Sequence, residues 1–221
     1  MNEIKVCIFD AYGTLFDVNA ACRELSIEVG DKWQDLATLW RLRQTEYTWL
    51  RNSMNEYINF WNITEDALEY AMDTLNIKND KLKNKLLDLY LKLEAYPEVK
   101  KVLTQLKKEG YKTGILSNGS EAMLDSAVKN AKIHNLLDKV LSVEKCKVYK
   151  PSHKVYDLVE KEFNIKKNNV IFFSSNAWDM HAAAHYGFKT IWVNRFDGKL
   201  EQLPGKPYKI VQSLEKIEDI L

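Results

Sequence analysis

The residues that could do chemistry begin with Asp10, which directly follows the unbroken apolar run V-C-I-F of residues 6–9. Such a run is typical of a strand that is buried on both faces. Gly13 comes three positions after Asp10 and permits a sharp turn. A carboxylate at the carboxyl end of a buried strand lies where open α/β sheets bind their ligands. The alternative is an Asp that only caps the next turn.

Other small polar side chains and one lysine follow later apolar segments of the chain. Each of them alone has an ordinary explanation, as turn chemistry or as a solvated charge. In a parallel sheet, however, the carboxyl ends of the strands all lie at one edge, so these residues are expected to converge. The combination predicts a functional cleft formed by Asp10, Ser117, Asn118, Lys150, Ser174, Ser175, Asn176 and Asp179.

The elements that must position these residues alternate between strand and helix after residue 96. This alternation predicts βαβ units, right-handed crossovers and a parallel sheet, hence an α/β fold with a Rossmann-like core. A short closing helix is also expected over residues 214–221. The predicted strands cover residues 112–116, 139–143, 170–173 and 189–193, and the predicted helices cover 97–109, 120–132, 152–163 and a segment ending at 186.

The segment of residues 18–95 differs, because it holds no proline and one glycine, and its apolar residues recur at helical spacing. Thr64, followed by two acidic residues, predicts a helix N-cap. We expect an all-helical cap over 18–95, inserted into a discontinuous core of residues 1–17 and 96–221, with the site between them. One long amphipathic helix is predicted from Leu36, Leu39, Trp40, Arg43, Tyr47 and Leu50.

Composition argues against several classes of partner. The 221 residues include 32 basic and 31 acidic ones, and this balance gives no electrostatic reason to expect nucleic acid or a membrane. No apolar run approaches the roughly 18 residues of a membrane span, and the N-terminus lacks a signal-peptide layout. Three scattered cysteines fit a reducing cytoplasm. His181 and His185 have a spacing that can bind zinc, but no glutamate completes an HExxH motif.

Four segments together resemble the four motifs of the haloacid dehalogenase superfamily. The resemblance runs the length of the chain, and Trp40-Arg41 and Glu46-Tyr47 resemble that family's substrate-facing cap helix. It implies a Rossmann-like core with an inserted helical cap, the HAD-like fold. The four segments are Asp10-Ala11-Tyr12-Gly13-Thr14-Leu15, Ser117-Asn118, Lys150-Pro151 and Ser174-Ser175-Asn176-Ala177-Trp178-Asp179.

Two positions depart from the magnesium-dependent phosphatases that form most of this superfamily. Tyr12 stands in place of their acid/base aspartate, and Ser175 stands in the Gly-Asp pair that supports their metal. A phosphoryl leaving group needs a proton donor and a cation, and a phenol cannot replace a carboxylate in holding a hard cation. A halide leaves as a stable anion and needs no general acid. Both departures match the L-2-haloacid dehalogenase branch, which implies no metal and no other cofactor.

The resemblance then implies an activity with 2-haloalkanoic acid and water as its small-molecule partners. Asp10 attacks C2, expels the halide and forms an ester with inversion, and water attacks the ester carbonyl to release the 2-hydroxy acid. Thr14 and Lys150 orient Asp10. Ser117 holds the substrate carboxylate, while Arg41, Asn118 and Phe60 receive the halide. Tyr12, Phe60 and Trp178 exclude water, and Asp179, held by Ser174 and Asn176, activates the hydrolytic water unless Lys150 shares that work.

Two other functions remain open at this stage. One is a phosphatase-like hydrolase that tolerates Tyr12, and the other is a non-catalytic small-molecule-binding protein on the same fold. The joint presence of Asp10, Ser117, Lys150 and Asp179 argues against the second. Arg43 lies about 200° around a helix from Arg41 and is predicted to be solvated or ion-paired. Four tryptophans are candidates for packing or for a homodimer interface: Trp33, Trp40, Trp49 and Trp61.

Overall fold

A six-stranded parallel sheet, ordered β3-β2-β1-β4-β5-β6, organises the computed structural model, which describes residues 3–215 and 217. All four residues of β1 are buried, since β2 and β4 pair with it on either side. This parallel sheet with its helices confirms the predicted α/β fold. The strands are β1 (Val6–Phe9), β2 (Lys112–Ser117), β3 (Lys139–Ser142), β4 (Val170–Ser174), β5 (Lys189–Val193) and β6 (Lys209–Val211).

Five α-helices lie between β1 and residue 96 in the chain. The two connections to this helical segment run side by side, because Asp17 N donates to Glu94 O and Tyr96 N donates to Leu15 O, at 3.1 and 2.9 Å. The division into core and cap at residues 17 and 96 stays a prediction. The helices are α1 (Ala20–Glu24), α2 (Ser26–Val29), α3 (Trp33–Met54), α4 (Phe60–Thr74) and α5 (Asp80–Tyr90).

Four further helices alternate with the strands after residue 96, and no helix in the described ranges is long and apolar enough to cross a membrane. Each strand and helix expected from 97 to 193 is present, with ends within two residues of prediction. The strand β6 was not predicted, and the expected helix over 214–221 falls mostly outside the described residues. The helices are α6 (Val99–Lys108), α7 (Glu121–Asn130), α8 (His153–Phe163) and α9 (Ala177–Tyr186).

The buried face of α3 differs from the predicted one. Leu50 is 50% exposed, and Arg43 and Tyr47 are half-buried. Gln44 and Thr48 are buried instead, on the stripe that continues from Trp40. Polar side chains are tolerated there because they find partners, as when Gln44 Nε2 donates to the hydroxyl of α4 residue 64 at 2.8 Å.

The predicted N-cap at Thr64 was wrong. The helix α4 begins at Phe60, because the extended Asn59 accepts a hydrogen bond from Trp61 N at 2.7 Å and caps the first turn. Thr64 lies inside the helix, where its hydroxyl donates to Phe60 O at 2.8 Å. The earlier start makes Phe60 the first residue of α4, where it is buried and close to the carboxyl edge of the sheet.

Candidate active site

The Asp10 carboxylate is held by three donors at the carboxyl end of β1. Its Oδ2 accepts from Thr14 Oγ1 at 3.0 Å and from Asn176 Nδ2 at 2.7 Å, and its Oδ1 accepts from Lys150 Nζ at 3.1 Å. Thr14 Oγ1 also accepts from Ser175 N at 2.8 Å, which ties the loop after β1 to the loop after β4. Asp10 is 6% exposed, so these contacts fix the orientation of its carboxyl group in a largely water-free setting.

The ammonium of Lys150 joins two carboxylates. Its Nζ lies 3.1 Å from Asp10 Oδ1 and 2.7 Å from Asp179 Oδ2, and the side chain is buried. Its backbone N donates to Asn118 Oδ1 at 3.0 Å, which fixes the loop after β3. Burial alone lowers the pKa of this lysine, but the two carboxylates outweigh burial and raise its pKa above the usual value. Lys150 is therefore protonated at neutral pH.

Asp179, in the first turn of α9, is completely buried behind Lys150. Its Oδ2 accepts hydrogen bonds from Lys150 Nζ and, at 3.2 Å, from Ser174 Oγ. Its Oδ1 accepts a hydrogen bond from Tyr156 OH at 2.7 Å. Burial raises its pKa to about 6, with Lys150 opposing that rise and Asp10 adding to it.

The side chain of Asn176 has a different role from the predicted one. It does not hold the Asp179 carboxylate: its Nδ2 donates to Asp10 Oδ2 and, at 3.1 Å, to Tyr12 O. Only its backbone carbonyl contacts Asp179, accepting from the Asp179 N at 3.1 Å as α9 begins. Asn176 therefore does not cap α9 with its side chain, because its amide nitrogen donates to Asp10 and its amide oxygen accepts from Arg41.

Arg41, on α3, places its guanidinium at this edge of the sheet. Its Nη2 donates to Tyr12 O and to Asn176 Oδ1, both at 3.2 Å, and its Nη1 donates to Gln44 Oε1 at 2.8 Å. Arg43 lies on another side of α3, where it pairs with Glu46 and has its guanidinium 4.6 Å from the centre of the Tyr70 ring. The structure therefore brings one of the two arginines to the site.

A cavity of about 20 Å³ lies beside Asp10, and we call it the inner cavity. This volume has room for about one water molecule. The predicted site residues Thr14, Ser174 and Asp179 do not line it; they lie behind its walls and bond to residues of the site. Its lining residues are Asp10, Tyr12, Arg41, Thr45, Phe60, Ser117, Asn118, Lys150, Asn176 and Trp178.

The donor groups at this edge do not suit Mg²⁺. The Lys150 ammonium already lies between the carboxylates of Asp10 and Asp179, and the Tyr12 ring stacks on Tyr90 with centroids 5.7 Å apart. Mg²⁺ favours carboxylate and water oxygens in octahedral geometry, which this arrangement does not provide. Within residues 3–215 and 217, no group of three or more His, Cys, Asp or Glu side chains could hold a metal ion.

Three residues of the site were not predicted from the sequence. Tyr156, on α8, donates to Asp179, and no local pattern distinguishes it from the other tyrosines. Gln44 accepts from Arg41 and also from Tyr90 OH, at 3.1 Å. Its position four residues after Trp40, on the extension of an apolar stripe, was a usable signal. Thr45 was missed because nothing in its spacing marks it.

Comparisons with known proteins agree with this geometry. A family model described as haloacid dehalogenase-like hydrolase matches residues 4–187. The (S)-2-haloacid dehalogenase of Pseudomonas fluorescens is 40% identical over 225 residues, which cover 100% of this chain and 98% of that protein. The (S)-2-haloacid dehalogenase 4A of Burkholderia cepacia is 41% identical over 196 residues, which cover 88% of this chain and 85% of that protein.

Solved structures give the same picture. The crystal structure of a dehalogenase superposes with a TM-score of 0.98 at 38% identity, covering 100% of this chain and 98% of that one. The L-2-haloacid dehalogenase from Xanthobacter autotrophicus with chloropropionic acid covalently bound superposes with a TM-score of 0.90 at 30% identity, covering 98% of each chain. The whole architecture is therefore shared, including the helical segment.

The buried charge arrangement predicts a pH-dependent loss of stability in Lys150→Met. Two buried carboxylates then lack their shared cation, and we expect a loss of about 3–5 kcal/mol in the free energy of unfolding at pH 7.5. Without the ammonium, nothing opposes the rise that burial causes in the pKa of Asp179, so the folded state binds more protons than the unfolded state and stability falls as pH rises. The loss should be smaller at pH 5. Urea denaturation at both pH values measures it.

Lys129→Met is the matched control, because it removes an exposed ion pair with Asp125. It should leave the free energy of unfolding nearly unchanged at both pH values. An equal loss at pH 5 and pH 7.5 in Lys150→Met would contradict the charge argument.

Proposed function

The chain belongs to the haloacid dehalogenase-like hydrolases, and on that premise we propose that it hydrolyses L-2-haloalkanoic acids to D-2-hydroxy acids through an ester on Asp10. One observation carries the proposal: the carboxyl group of Asp10 faces a small cavity, with the Lys150 ammonium on one side and the Arg41 guanidinium lining the same space. The related enzymes at about 40% identity carry the same activity in their names.

The first step is displacement of the halide by Asp10. Its Oδ2 accepts two of the hydrogen bonds described above and Oδ1 accepts one, so Oδ1 is the more available oxygen. Oδ1 forms a bond to C2 from the face opposite the halogen, and the halide leaves with the bonding electron pair. Arg41 receives the departing anion, since a guanidinium in a dry site binds anions strongly. Ser117 holds the substrate carboxylate, and Asn118 lies with Arg41 on the side that receives the halide.

The apolar walls support that step. Tyr12 and Phe60 are each 3% exposed, and with Trp178 they border the inner cavity. Exclusion of bulk water leaves the Asp10 carboxylate less solvated and holds it close to C2, which favours direct attack over attack through an intervening water.

The second step is hydrolysis of the ester. Water attacks the carboxyl carbon of Asp10, loses a proton to a base, and the hydroxy acid leaves with the oxygen that Asp10 supplied. Lys150 is protonated and has no lone pair, so it is not the base. Asp179 has a pKa near 6, which makes it ionised and still basic at neutral pH. We assign the base to Asp179, with Lys150 holding it in place, and no metal ion takes part.

Labelled water tests the ester route. In a single turnover with enzyme in excess in ¹⁸O water, L-2-chloropropionate should give unlabelled D-lactate and one heavy oxygen in the enzyme. Mass spectrometry should locate that oxygen at Asp10 and not at Asp17, the internal control. Chloride release should persist in excess EDTA, and the D-substrate should react poorly.

Three other results of these experiments would contradict the ester route or the proposed function. Labelled lactate with an unlabelled peptide would make Asp10 a general base for direct attack by water. Activity that EDTA abolishes and Mg²⁺ restores would return the protein to the phosphatase-like alternative. No chloride release would leave the non-catalytic alternative.

Two of the three arginines of α3, Arg41 and Arg43, give a matched pair of variants. Arg41→Ala should lower kcat by roughly a hundredfold or more, because it removes a charge-assisted contact to the leaving anion. Arg43→Ala should change kcat little, since its partners Glu46 and Tyr70 lie outside the inner cavity. Halide release under saturating substrate measures both. Similar losses in the two variants would show that the wrong side of α3 had been assigned to the site.

We also propose a cytoplasmic homodimer. The three cysteines are free, which fits a reducing compartment. Two of the four tryptophans considered for the interface are otherwise engaged: Trp40 is 2% exposed and Trp49 packs on Trp178. The outer side of α3 is a better candidate for the dimer interface than these tryptophans, because Leu42 and Leu50 are 55% and 50% exposed there.

Sedimentation equilibrium tests the dimer. The double variant Leu42→Glu, Leu50→Glu should shift the protein to monomer, because it places charges on the apolar contact. Ile27→Glu is the control, since Ile27 is 96% exposed on α2 and away from this face of α3. A monomeric parent protein, or a dimer that survives the double variant, would refute this interface.

A further inference from the structure

A second, larger space adjoins the inner cavity. It is an open groove of about 800 Å³ between the end of α3 and the starts of α8 and α9, and we call it the outer groove. Trp178 is the one residue, among those described, that lines both spaces. The outer groove is also lined by Trp49, Ser53, Val148, Pro151, Ala182 and Leu203.

The three apolar walls of the inner cavity differ in what lies behind them. Tyr12 is backed by Tyr90, stacked at 5.7 Å, and Phe60 packs against Tyr149 with centroids 6.0 Å apart. Both Tyr90 and Tyr149 are buried, so neither wall can yield without opening the core. Trp178 alone of the three is half-buried, and behind it lies the outer groove.

One aromatic contact from the helical segment supports Trp178. Its indole packs edge to face against Trp49 of α3, with ring centroids 5.3 Å apart, and Trp49 is 37% exposed. An aromatic pair of this kind is a modest contact, and breaking it opens no buried core. The remaining sides of the inner cavity carry charged or polar groups, which an alkyl chain cannot follow.

We propose that Trp178 sets the upper limit of substrate chain length, because its indole closes the inner cavity against an outer groove that could hold an alkyl tail. The proposal rests on the proposed function and specifies its substrate class: short 2-haloalkanoic acids in the wild-type enzyme. When the Trp178 indole is removed, the alkyl chain of a longer acid extends from C2 into the outer groove. Each methylene buried there is worth about fourfold in affinity.

The test compares kcat/KM for L-2-bromooctanoate and L-2-bromopropionate. Trp178→Ala should raise the ratio of octanoate to propionate at least tenfold over wild type. Trp61→Ala makes the same truncation on α4, at a side chain that lines neither space, and should leave the ratio unchanged.

A bulky side chain placed in the outer groove tests whether the alkyl tail of the substrate lies there. Ser53 is an exposed residue of α3 that lines the groove, so Ser53→Trp fills it with little risk to folding. Added to Trp178→Ala, it should remove most of the gain with bromooctanoate while turnover of bromopropionate stays at the level of the single variant. A gain that survives Ser53→Trp would refute the groove as the site of the tail.

Trp49→Ala keeps the proposal testable if Trp178→Ala fails to fold. It removes the aromatic contact that supports Trp178 and changes no residue that lines the inner cavity, so the ratio should rise in the same direction, about threefold. An unchanged ratio in every folded variant would overturn the proposal. That result is distinct from failure of the proposed function, in which wild-type enzyme releases no bromide from either substrate.

Discussion

The site depends on one buried ammonium placed between two buried carboxylates. Lys150, Asp10 and Asp179 together carry a net negative charge with almost no access to water. An isolated carboxylate in such a place would take up a proton and lose its nucleophilicity. The shared cation compensates the buried carboxylates and also fixes the orientation of Asp10. The ammonium also occupies the space between the two carboxylates, so those oxygens are not free to bind a cation together.

That contact joins residues 140 and 29 positions apart in the chain. Parallel pairing makes this possible, because β1 lies between β2 and β4 and all carboxyl ends share one edge. The convergence was predictable from the sequence, since long apolar runs followed by polar residues mark buried parallel strands. The strand β6 was not predictable in this way. It has three residues, lies at the edge of the sheet and is mostly exposed, so it carries no apolar run.

Side-chain partners were harder to predict than strands. The sequence placed Asn176 and Asp179 at the same edge, but it could not show that the Asn176 amide turns to Asp10. Gln44 and Tyr156 reach the site from helices, and each is buried by satisfying a polar atom that only the folded chain provides. Apolar periodicity treats a buried polar side chain as an exposed one, so it indicates Gln44 only through its spacing from Trp40 and does not indicate Tyr156.

Desolvation of the nucleophile and selection of the substrate have one structural origin. Walls that exclude water from Asp10 leave an inner cavity of about 20 Å³, so every atom of a substrate must displace a wall or fill a space opened by motion. A wall backed by packed core resists that displacement, as Tyr12 and Phe60 do. A wall backed by an open groove, as at Trp178, yields at lower cost. If the proposed function holds, a smaller residue in place of Trp178 would widen the substrate range and also admit water to Asp10, so the size of that indole would balance the two demands.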